Sequence, residues 1–592
     1  MRLLIRILPL LATALLLLDS VPRPTGASGT QPNGVSYWGM NAYITKRERR
    51  GVDNLDVLAD TARNAGAQWT REELPWSLIE QQPGNYLTVY DDSLKLTADK
   101  GFGIIGELLT TPDWARDPSC VTNYWCPPAD VNRYAAWARW MVDRYNGDGI
   151  NDAPGSPRIA AWEIWNEPND TASWLDIPPD SNARKLRYGQ MLVAAYQAIK
   201  SVDPTAIVLT GGTYIYDGSC AGGVCDGLNF FNAAGGVFQQ LPAAKTAFDV
   251  FAIHPYIPTD RPDAPQIPPK ITVEGRIQST RTWLNHDIGR PDAPVWITEI
   301  GWCTTGGACP GGVAVTEDAQ ADYLTRSMVI AQQNGVQHTS WFQLEDAFND
   351  PTRLWSYAAI VHDDDGTGYP PKPAYNAYST LAKTLNGFSP TGTGPVNTHV
   401  FAPAADQGDN GVYDYRYTGG TTTIDVIWIP TGTASVKFPV DSSKQIVLVD
   451  RDGGTTTVTP SGGTVGLSVS ERPQFVVQQP PAAPSHLVVT PTTLGFVVQT
   501  GSQPVCSGIQ ITNGGGGTLT WTATTSTSWL TIQSSSGTAP GTFTLCATPG
   551  TTTGTQSGNV QIAGSDGSTA NVAVSLIVAS RVYKTLLPFV ER

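Results

Sequence analysis

An α/β barrel of eight parallel strands, (β/α)8, followed by two small all-β domains is the architecture that this 592-residue sequence predicts. Three observations predict it. Eight short runs rich in apolar and β-branched residues lie between Ser36 and Leu385, with amphipathic helical patterns between several of them. Two of those runs, Ala161-Trp162-Glu163-Ile164-Trp165-Asn166-Glu167-Pro168 and Pro294-Val295-Trp296-Ile297-Thr298-Glu299-Ile300-Gly301-Trp302, each deliver a carboxylate just before a turn or loop, as a buried parallel strand does at the rim of a sheet. After Gly387 the helical patterns stop, and short Thr-, Val- and Gly-rich alternating runs take over.

The elements follow in order. Residues 1–28 read as an export signal: Arg2 and Arg6, the apolar run Ile7–Leu18, then small Gly26, Ala27 and Ser28. An uncleaved anchor is the alternative, disfavoured because a run of about a dozen residues is short for a bilayer. Residues 29–387 hold the barrel. Its strands are expected at Val35–Ala42, Gln68–Glu72, Phe102–Leu109, Ile159–Trp165, Ile207–Gly211, Val250–His254, Val295–Glu299 and Thr339–Leu344. The clearest helices are Val131–Tyr145, Arg184–Ser201 and Glu317–Asn334, and three helices should stop on Gly66, Gly101 and Gly335. A doubly wound open sheet is the rival, but it needs no eight units, and no Gly-rich phosphate loop follows the first strand. Residues 388–479 read as a small antiparallel β domain, 480–580 as an immunoglobulin-like sandwich after a Pro/Ala hinge, and 581–592 as a tail with the apolar patch Leu586–Val590. That patch either docks on a neighbouring domain or serves in surface retention.

Charged residues make up only 15% of the chain and the formal net charge is −14, which argues against nucleic acid or an anionic membrane as partner and suits a neutral sugar polymer. Eight Cys in an exported chain favour disulfides, with local spacing suggesting Cys120–Cys126, Cys220–Cys225, Cys303–Cys309 and Cys506–Cys546. Zinc is the competing reading, but it lacks a CxxC or nearby paired His. Asn146–Asp152 looks like part of a calcium loop without its closing Glu, and a polar turn is the better reading. No metal and no cofactor is expected. The sequence gives no basis for an oligomeric state.

Barrel chemistry belongs at the C-terminal ends of the strands. Glu167 at the fourth and Glu299 at the seventh would meet across the barrel mouth, and two facing carboxylates are the minimum equipment for cleaving a glycosidic bond. Glu163, of the same strand parity as Glu167, reads as the partner of a buried cation. Trp114, Trp174, Trp302 and Trp355 lie on expected rim loops and could stack on sugar rings, although each taken singly is as well explained as core.

Trp-Asn-Glu-Pro at a fourth strand and Thr-Glu-Ile-Gly-Trp at a seventh resemble clan A, the retaining glycoside hydrolases with a (β/α)8 barrel that include families 5 and 39. Thr111-Pro112-Asp113-Trp114, His254-Pro255-Tyr256 and Lys372-Pro373-Ala374-Tyr375 fit the same pattern, so the resemblance covers about Ser36–Leu385. It implies Glu167 as general acid/base and Glu299 as nucleophile. It implies Asn166 on the sugar 2-hydroxyl, Arg71 holding Glu299 ionised, Tyr256 bonded to Glu299, His254 lining the subsite and Trp341 as its stacking floor. Arg71 as a core ion pair, His254 as a satisfied core imidazole and Asn166 as a turn residue are the structural alternatives. One departure stands out: where family 5 enzymes usually carry a His after strand three, this chain reads Leu108-Leu109-Thr110-Thr111. The run from Leu487–Pro491 through Ser528–Thr531 resembles the immunoglobulin-like BACON modules of bacterial carbohydrate-active enzymes, for which a passive spacer is an equal reading. The expected function is a secreted or cell-surface glycosidase that cleaves a neutral, β-linked poly- or oligosaccharide with retention. A non-catalytic carbohydrate-binding barrel and a transglycosylase are the alternatives.

Overall fold

The computed structural model describes residues 35–45 and 54–582, apart from 121–122, 176–180, 216–219, 222–223, 233, 258–259, 265–271, 306–307, 347–351, 353, 363–367, 402–409 and 482. The expected export signal at 1–28 and the apolar patch of the tail at 586–590 lie outside these residues. Two compact units are present: one runs to Gln479 apart from 443–445, and the other takes in those three residues and everything from Pro480.

The first unit is built on a closed barrel of eight parallel strands: β1 Trp38–Met40, β2 Trp69–Pro75, β3 Gly103–Leu109, β4 Ala161–Asn166, β5 Ile207–Tyr214, β6 Phe251–His254, β7 Val295–Ile300 and β8 His338–Trp341. Each strand pairs with the next in sequence, and β8 closes on β1. Helices cover the outside for the reason their sequences suggest. In Val131–Tyr145 the buried side chains Tyr134, Trp137, Ala138, Met141, Val142 and Tyr145 recur at helical spacing, and the Asp130 side chain caps the start by accepting from Asn132 N. The expected stops hold: Gly66, Gly101 and Gly335 sit at φ +105°, +78° and +79°, conformations that cost a side chain.

Alternation decides what fills the barrel. At its N-terminal end Trp69, Trp296 and His338 pack ring to ring, with centroids 5.0–6.0 Å apart. One strand layer further up, polar side chains replace them, Arg71 among them. On β7 the pairing with β8 slips: Thr339 partners Ile297, yet Trp341 partners Ile300. The extra residue on β7 is a bulge, and it lets the adjacent Thr298 and Glu299 both reach the interior.

Past the barrel, a six-stranded antiparallel sheet (Ser389–Thr393, Tyr413–Gly419, Thr422–Trp428, Gln474–Gln479, Gln445–Asp450 and Thr455–Val458) has beside it a two-stranded ladder, Thr433–Pro439 with Thr464–Ser470. Tyr413, Tyr415, Tyr417, Val426, Trp428 and Phe475 belong to the same continuous apolar core as the barrel helices. Buried polar contacts add to this: Trp428 Nε1 donates to Asp263 at 2.7 Å, and Arg451 binds Asp318 and Asp322 at 2.7 Å each. The second unit is a sandwich of a four-stranded and a five-stranded sheet around its own core. Among the described residues no helix is long and apolar enough to cross a membrane.

Candidate active site

The site forms where β2, β3, β4, β6 and β7 end. Arg71 on β2 is fully buried and its guanidinium reaches three carboxylates: Glu299 at 2.6 Å, Glu163 at 2.5 Å and Glu107 at 2.6 Å. It also donates to Asn166 Oδ1 at 3.0 Å. The rigid fork of Arg suits such divided work, as a Lys would not. Glu163 is thus the buried cation's partner that strand parity suggests, and the cation is Arg71. Glu107 is a site residue that sequence reasoning passed over. Its signal was a lone charge inside the apolar run Phe102–Leu109, opposite Glu163 in the parallel register.

Parity alone would turn either Asn166 or Glu167 away from the mouth. Two residues of β4 and its exit, Trp165 and Glu167, take positive φ values of +71° and +39°. Such conformations are costly for side chains larger than Gly and cluster at functional sites. Here they bring Asn166 and Glu167 together at the rim. The Glu167 amide is held by Gly212 O at 2.9 Å. Gly212 also donates to Glu163 Oε1 at 2.7 Å, and a Cβ there would stand 2.0 Å from His254 Nε2. Only Gly allows β5 to approach this closely.

His254 Nδ1 lies 2.8 Å from Glu167 Oε1 and 3.8 Å from Glu299 Oε2. The Tyr256 hydroxyl donates to Glu299 Oε2 at 2.9 Å. One ligand atom each from Glu167, His254 and Glu299 fall within 4.8 Å of one another, so the two carboxylates face across a gap of that order. Their environments push them apart. Burial raises the Glu167 carboxyl above its ordinary value. Burial acts on Glu299 as well, but there the charges of His254 and Arg71 and the hydrogen bonds from Tyr256 and Arg71 outweigh it, and the group sits below its ordinary value. Burial also raises Glu107, against the pull of Arg71.

The cleft above these groups is a cavity of about 980 Å³. Four carboxylates line it, Glu73, Glu167, Asp170 and Glu299, and no Lys or Arg is among the described lining residues. Thr110 stands in the wall after β3, its hydroxyl 2.9 Å from that of Ser77. The aromatic lining includes Tyr43, Trp125, Tyr256, Phe342 and Trp355, with Trp355 stacked obliquely on Tyr256 at 4.7 Å.

Most of the expected tryptophans are elsewhere. Trp341 is fully buried outside the barrel wall, stacked at 6.0 Å on Trp302, which is also fully buried and donates to Asp260 O. The reason is the two-residue period of β8: His338 and Ser340 bond each other inside, Thr339 bonds Tyr37 outside, and Trp341 follows Thr339. Phe342, next in sequence, meets the cleft instead. Trp174 is fully buried against Trp165, and Trp114 packs its edge on Trp76 and donates to Glu80 O. Of the rim tryptophans read from sequence, only Trp355 lines the cavity.

Disulfides Cys120–Cys126, Cys303–Cys309 and Cys506–Cys546 are formed. Cys220 and Cys225 are register partners in a two-residue antiparallel ladder, and their side chains lie outside the described ones. Tyr124 and Trp125, inside the first loop, and Pro310, after the second, all line the cleft. Loop 146–152 is a turn held by its own side chains: Asp148 accepts from Ile150 N and Asp152 from Gly149 N, at 2.7 Å each.

A closed parallel barrel with two unlike carboxylates facing each other at its C-terminal mouth is the architecture of a glycoside hydrolase. The family model for cellulase (glycosyl hydrolase family 5) matches residues 31–344, and the chain belongs to that family. It is a glycosidase. Among solved structures, a family 39 glycoside hydrolase from the gut symbiont Bacteroides cellulosilyticus WH2 is similar at 19% identity and TM-score 0.55, over 72% of this chain and 79% of that one. A glucosidase from Croceicoccus marinus is similar at 16% identity and TM-score 0.48, over 71% and 91%. A family 30 subfamily 8 xylanase from Clostridium acetobutylicum is similar at 14% identity and TM-score 0.46, over 72% and 92%. At 19% identity the likeness to the family 39 enzyme is one of fold. No curated protein is significantly similar to the chain.

Proposed function

We propose that the protein is a secreted retaining glycosidase that cleaves β-linked neutral poly- or oligosaccharides by double displacement, with Glu299 as nucleophile and Glu167 as acid/base. The observation that carries the reading is the carboxylate pair, its facing oxygens within 4.8 Å, one group raised and the other lowered. Retaining enzymes hold the pair about 5–5.5 Å apart, whereas inversion needs about 6.5–9.5 Å for an intervening water. In the first step Glu299 attacks the anomeric carbon while Glu167 protonates the departing oxygen. In the second Glu167, now a carboxylate, deprotonates the water that frees the sugar. Arg71 occupies Asn166 Oδ1, which leaves the Asn166 amide nitrogen to donate to the sugar 2-hydroxyl.

A cleft lined by four carboxylates and no described cation repels uronates and sulfated glycans and accepts neutral ones. Export fits the disulfides and the basic-then-apolar start of the chain. We assign 29–387 to catalysis, 388–479 to a β domain that buttresses it, and 480–580 to a BACON-like sandwich. The test is a panel of aryl glycosides and neutral polysaccharides with NMR assignment of the first-formed anomer. Glu299→Gln and Glu167→Gln should each abolish most turnover, azide should rescue Glu167→Ala on activated substrates, and the product should keep the β configuration. An α product, or wild-type rates in both Gln variants, would refute the assignment.

A further inference from the structure

Resting on the double-displacement reading, we infer that Tyr124 and Trp125 form the subsite for the departing half of the substrate, a neutral pyranose ring whose apolar face stacks on theirs. The aromatic lining of the cleft falls into two groups on opposite sides of the mouth. One surrounds the nucleophile strand β7: Tyr256 follows β6, Phe342 and Trp355 follow β8, and Tyr43 follows β1. These rings meet one another, Tyr256 with Trp355 at 4.7 Å, Phe342 with Trp355 at 6.1 Å and Tyr43 with Phe342 at 6.1 Å, and the Tyr256 hydroxyl donates to Glu299. The other group is Tyr124 and Trp125, in the loop after β3. In a closed barrel of eight strands β3 lies four strands from β7, directly across the mouth.

The mechanism decides which half each group serves. Glu299 bonds the anomeric carbon of the sugar that is retained, whereas Glu167 gives its proton to the oxygen of the sugar that leaves. The leaving sugar therefore lies on the Glu167 side. The strand that carries Glu167, β4, is the neighbour of β3, and the Trp125 ring meets Trp165 edge-on at 6.2 Å, two residues before Glu167. Asp170 stands in the same wall, its amide held by Glu167 O at 2.9 Å. Asp170 Oδ1 takes Ala172 N at 3.0 Å, and a carboxylate has acceptor capacity beyond one such bond, so hydroxyls at the edge of a stacked ring meet an acceptor there.

The pair is open to solvent and yet fixed. Among the described side chains Tyr124 is the only exposed aromatic, at 51%, and its ring lies 5.7 Å from that of Trp125. A lone exposed ring needs no explanation, but two rings on the wall of a catalytic cleft offer an apolar surface that a sugar face covers. Their backbone is held in place. Tyr124 O accepts from Thr111 N at 2.8 Å beside the exit of β3, Trp125 N donates to Asn123 Oδ1 at 2.9 Å, and the Cys120–Cys126 disulfide closes the loop. A platform set before the ligand arrives loses little freedom on binding. By microscopic reversibility the same platform receives an incoming acceptor sugar. The acceptor hydroxyl oxygen attacks the anomeric carbon of the glycosyl ester, its proton passes to Glu167, and the bond to Glu299 breaks to return the carboxylate.

Trapping the glycosyl-enzyme tests this. The reagent is a 2-deoxy-2-fluoro-β-glycosyl fluoride of the sugar that the aryl glycoside panel shows to be cleaved. Fluoride is too small to reach the platform, so the trapping rate reports on the retained half alone. Recovery of activity is then followed in buffer and with the methyl and phenyl β-glycosides of the same sugar as acceptors. These acceptors should speed recovery of the wild type in a saturable way. In Trp125→Ala the ratio of acceptor-driven to water-driven recovery should fall on the order of tenfold and in Tyr124→Ala roughly 2- to 5-fold, while Trp125→Phe should keep most of it. Both rates come from one trapped sample, so any misfolded fraction drops out of the ratio. An unmoved ratio in Trp125→Ala and Tyr124→Ala, or a wild type that neither acceptor speeds, overturns the proposal alone. A slower trapping rate with the ratio unmoved overturns it too, by placing the rings on the retained side. A reagent that leaves no adduct on Glu299 overturns the double-displacement reading, and this proposal with it.

Discussion

Arg71→Met is the perturbation that probes most of the site at once. The side chain is fully buried and supplies the counter-charge to Glu107, Glu163 and Glu299 within 2.6 Å. Methionine fills much of the volume but leaves three carboxylates facing one another without a cation. Breaking one buried pair costs about 3–5 kcal/mol. The network can blunt this by taking up protons, and Glu107, already raised by burial, is the first to hold one. Glu299 is different, because as the proposed nucleophile it must be ionised to attack. A facing cation lowers a carboxylate by roughly 1–3 pH units, and without it burial prevails. The sign follows: activity that needs ionised Glu299 fails as pH falls through its pKa, so a raised pKa moves the acidic limb upward. The expected result is an acidic limb of kcat/KM on an activated aryl glycoside shifted up by roughly 1–3 units, with a lower Tm. Arg71→Lys should fall between, since one ammonium cannot fork to three acceptors. An acidic limb that stays in place in a folded Arg71→Met would show that Arg71 does not hold the nucleophile ionised.

Three further outcomes are expected. Gly212→Ala puts a methyl 2.0 Å from His254 Nε2 and 2.7 Å from Glu163 Oε1, so it should cost about 1–3 kcal/mol and most of kcat; thermal melts with steady-state kinetics check it, and wild-type kcat would contradict it. Lys372→Met leaves Asp346 without its 2.6 Å partner under the loop that carries Trp355 and Ser356 into the cleft, and calorimetry should show roughly 3–5 kcal/mol lost, with KM rising more than kcat falls. Trp355→Ala removes the stacking face beside Tyr256 and should raise KM roughly 2- to 12-fold, the equivalent of one aromatic contact, with kcat on a small aryl glycoside nearly unchanged.

The barrel was legible in the sequence because buried parallel strands leave a strong local trace: all eight expected runs overlap β1 to β8. Glu167, Glu299, Asn166, Arg71, His254 and Tyr256 were legible as well, since each sits at a strand end, and the structure brings all six together. What escaped depends on geometry that residue order does not carry. The bulge on β7 is visible only in its pairing with β8, and without it the alternation from Trp296 through Thr298 would turn Glu299 outward. Trp341 was misplaced because its large ring drew attention away from the alternation of His338, Thr339 and Ser340, which sends it outward and Phe342 inward. Gly211-Gly212 at the end of β5 was a signal not taken up: paired glycines where a strand meets the rim mark a close approach.

Under the proposed double displacement, the cluster around Arg71 also accounts for one carboxyl serving as acid first and base second. Three acidic side chains share the single cation Arg71, and Glu167 across the gap feels the negative charge of Glu299. That charge, together with burial, keeps the acid protonated before attack. Ester formation at Glu299 removes the negative charge without moving a side chain, and Arg71 remains paired with Glu163. Glu167 then loses the repulsion that held its proton, at the moment when the mechanism requires a base. At an effective dielectric of about 20, unit charges some 5 Å apart interact by roughly 3 kcal/mol, on the order of two pKa units, enough to carry a raised carboxyl back toward its ordinary range. Trapping the intermediate with a 2-fluoro sugar and following Glu167 by carbon-13 NMR should show its pKa fall by one to two units. A Glu167 that titrates identically in free and trapped enzyme would mean that the charge on Glu299 does not govern the acid.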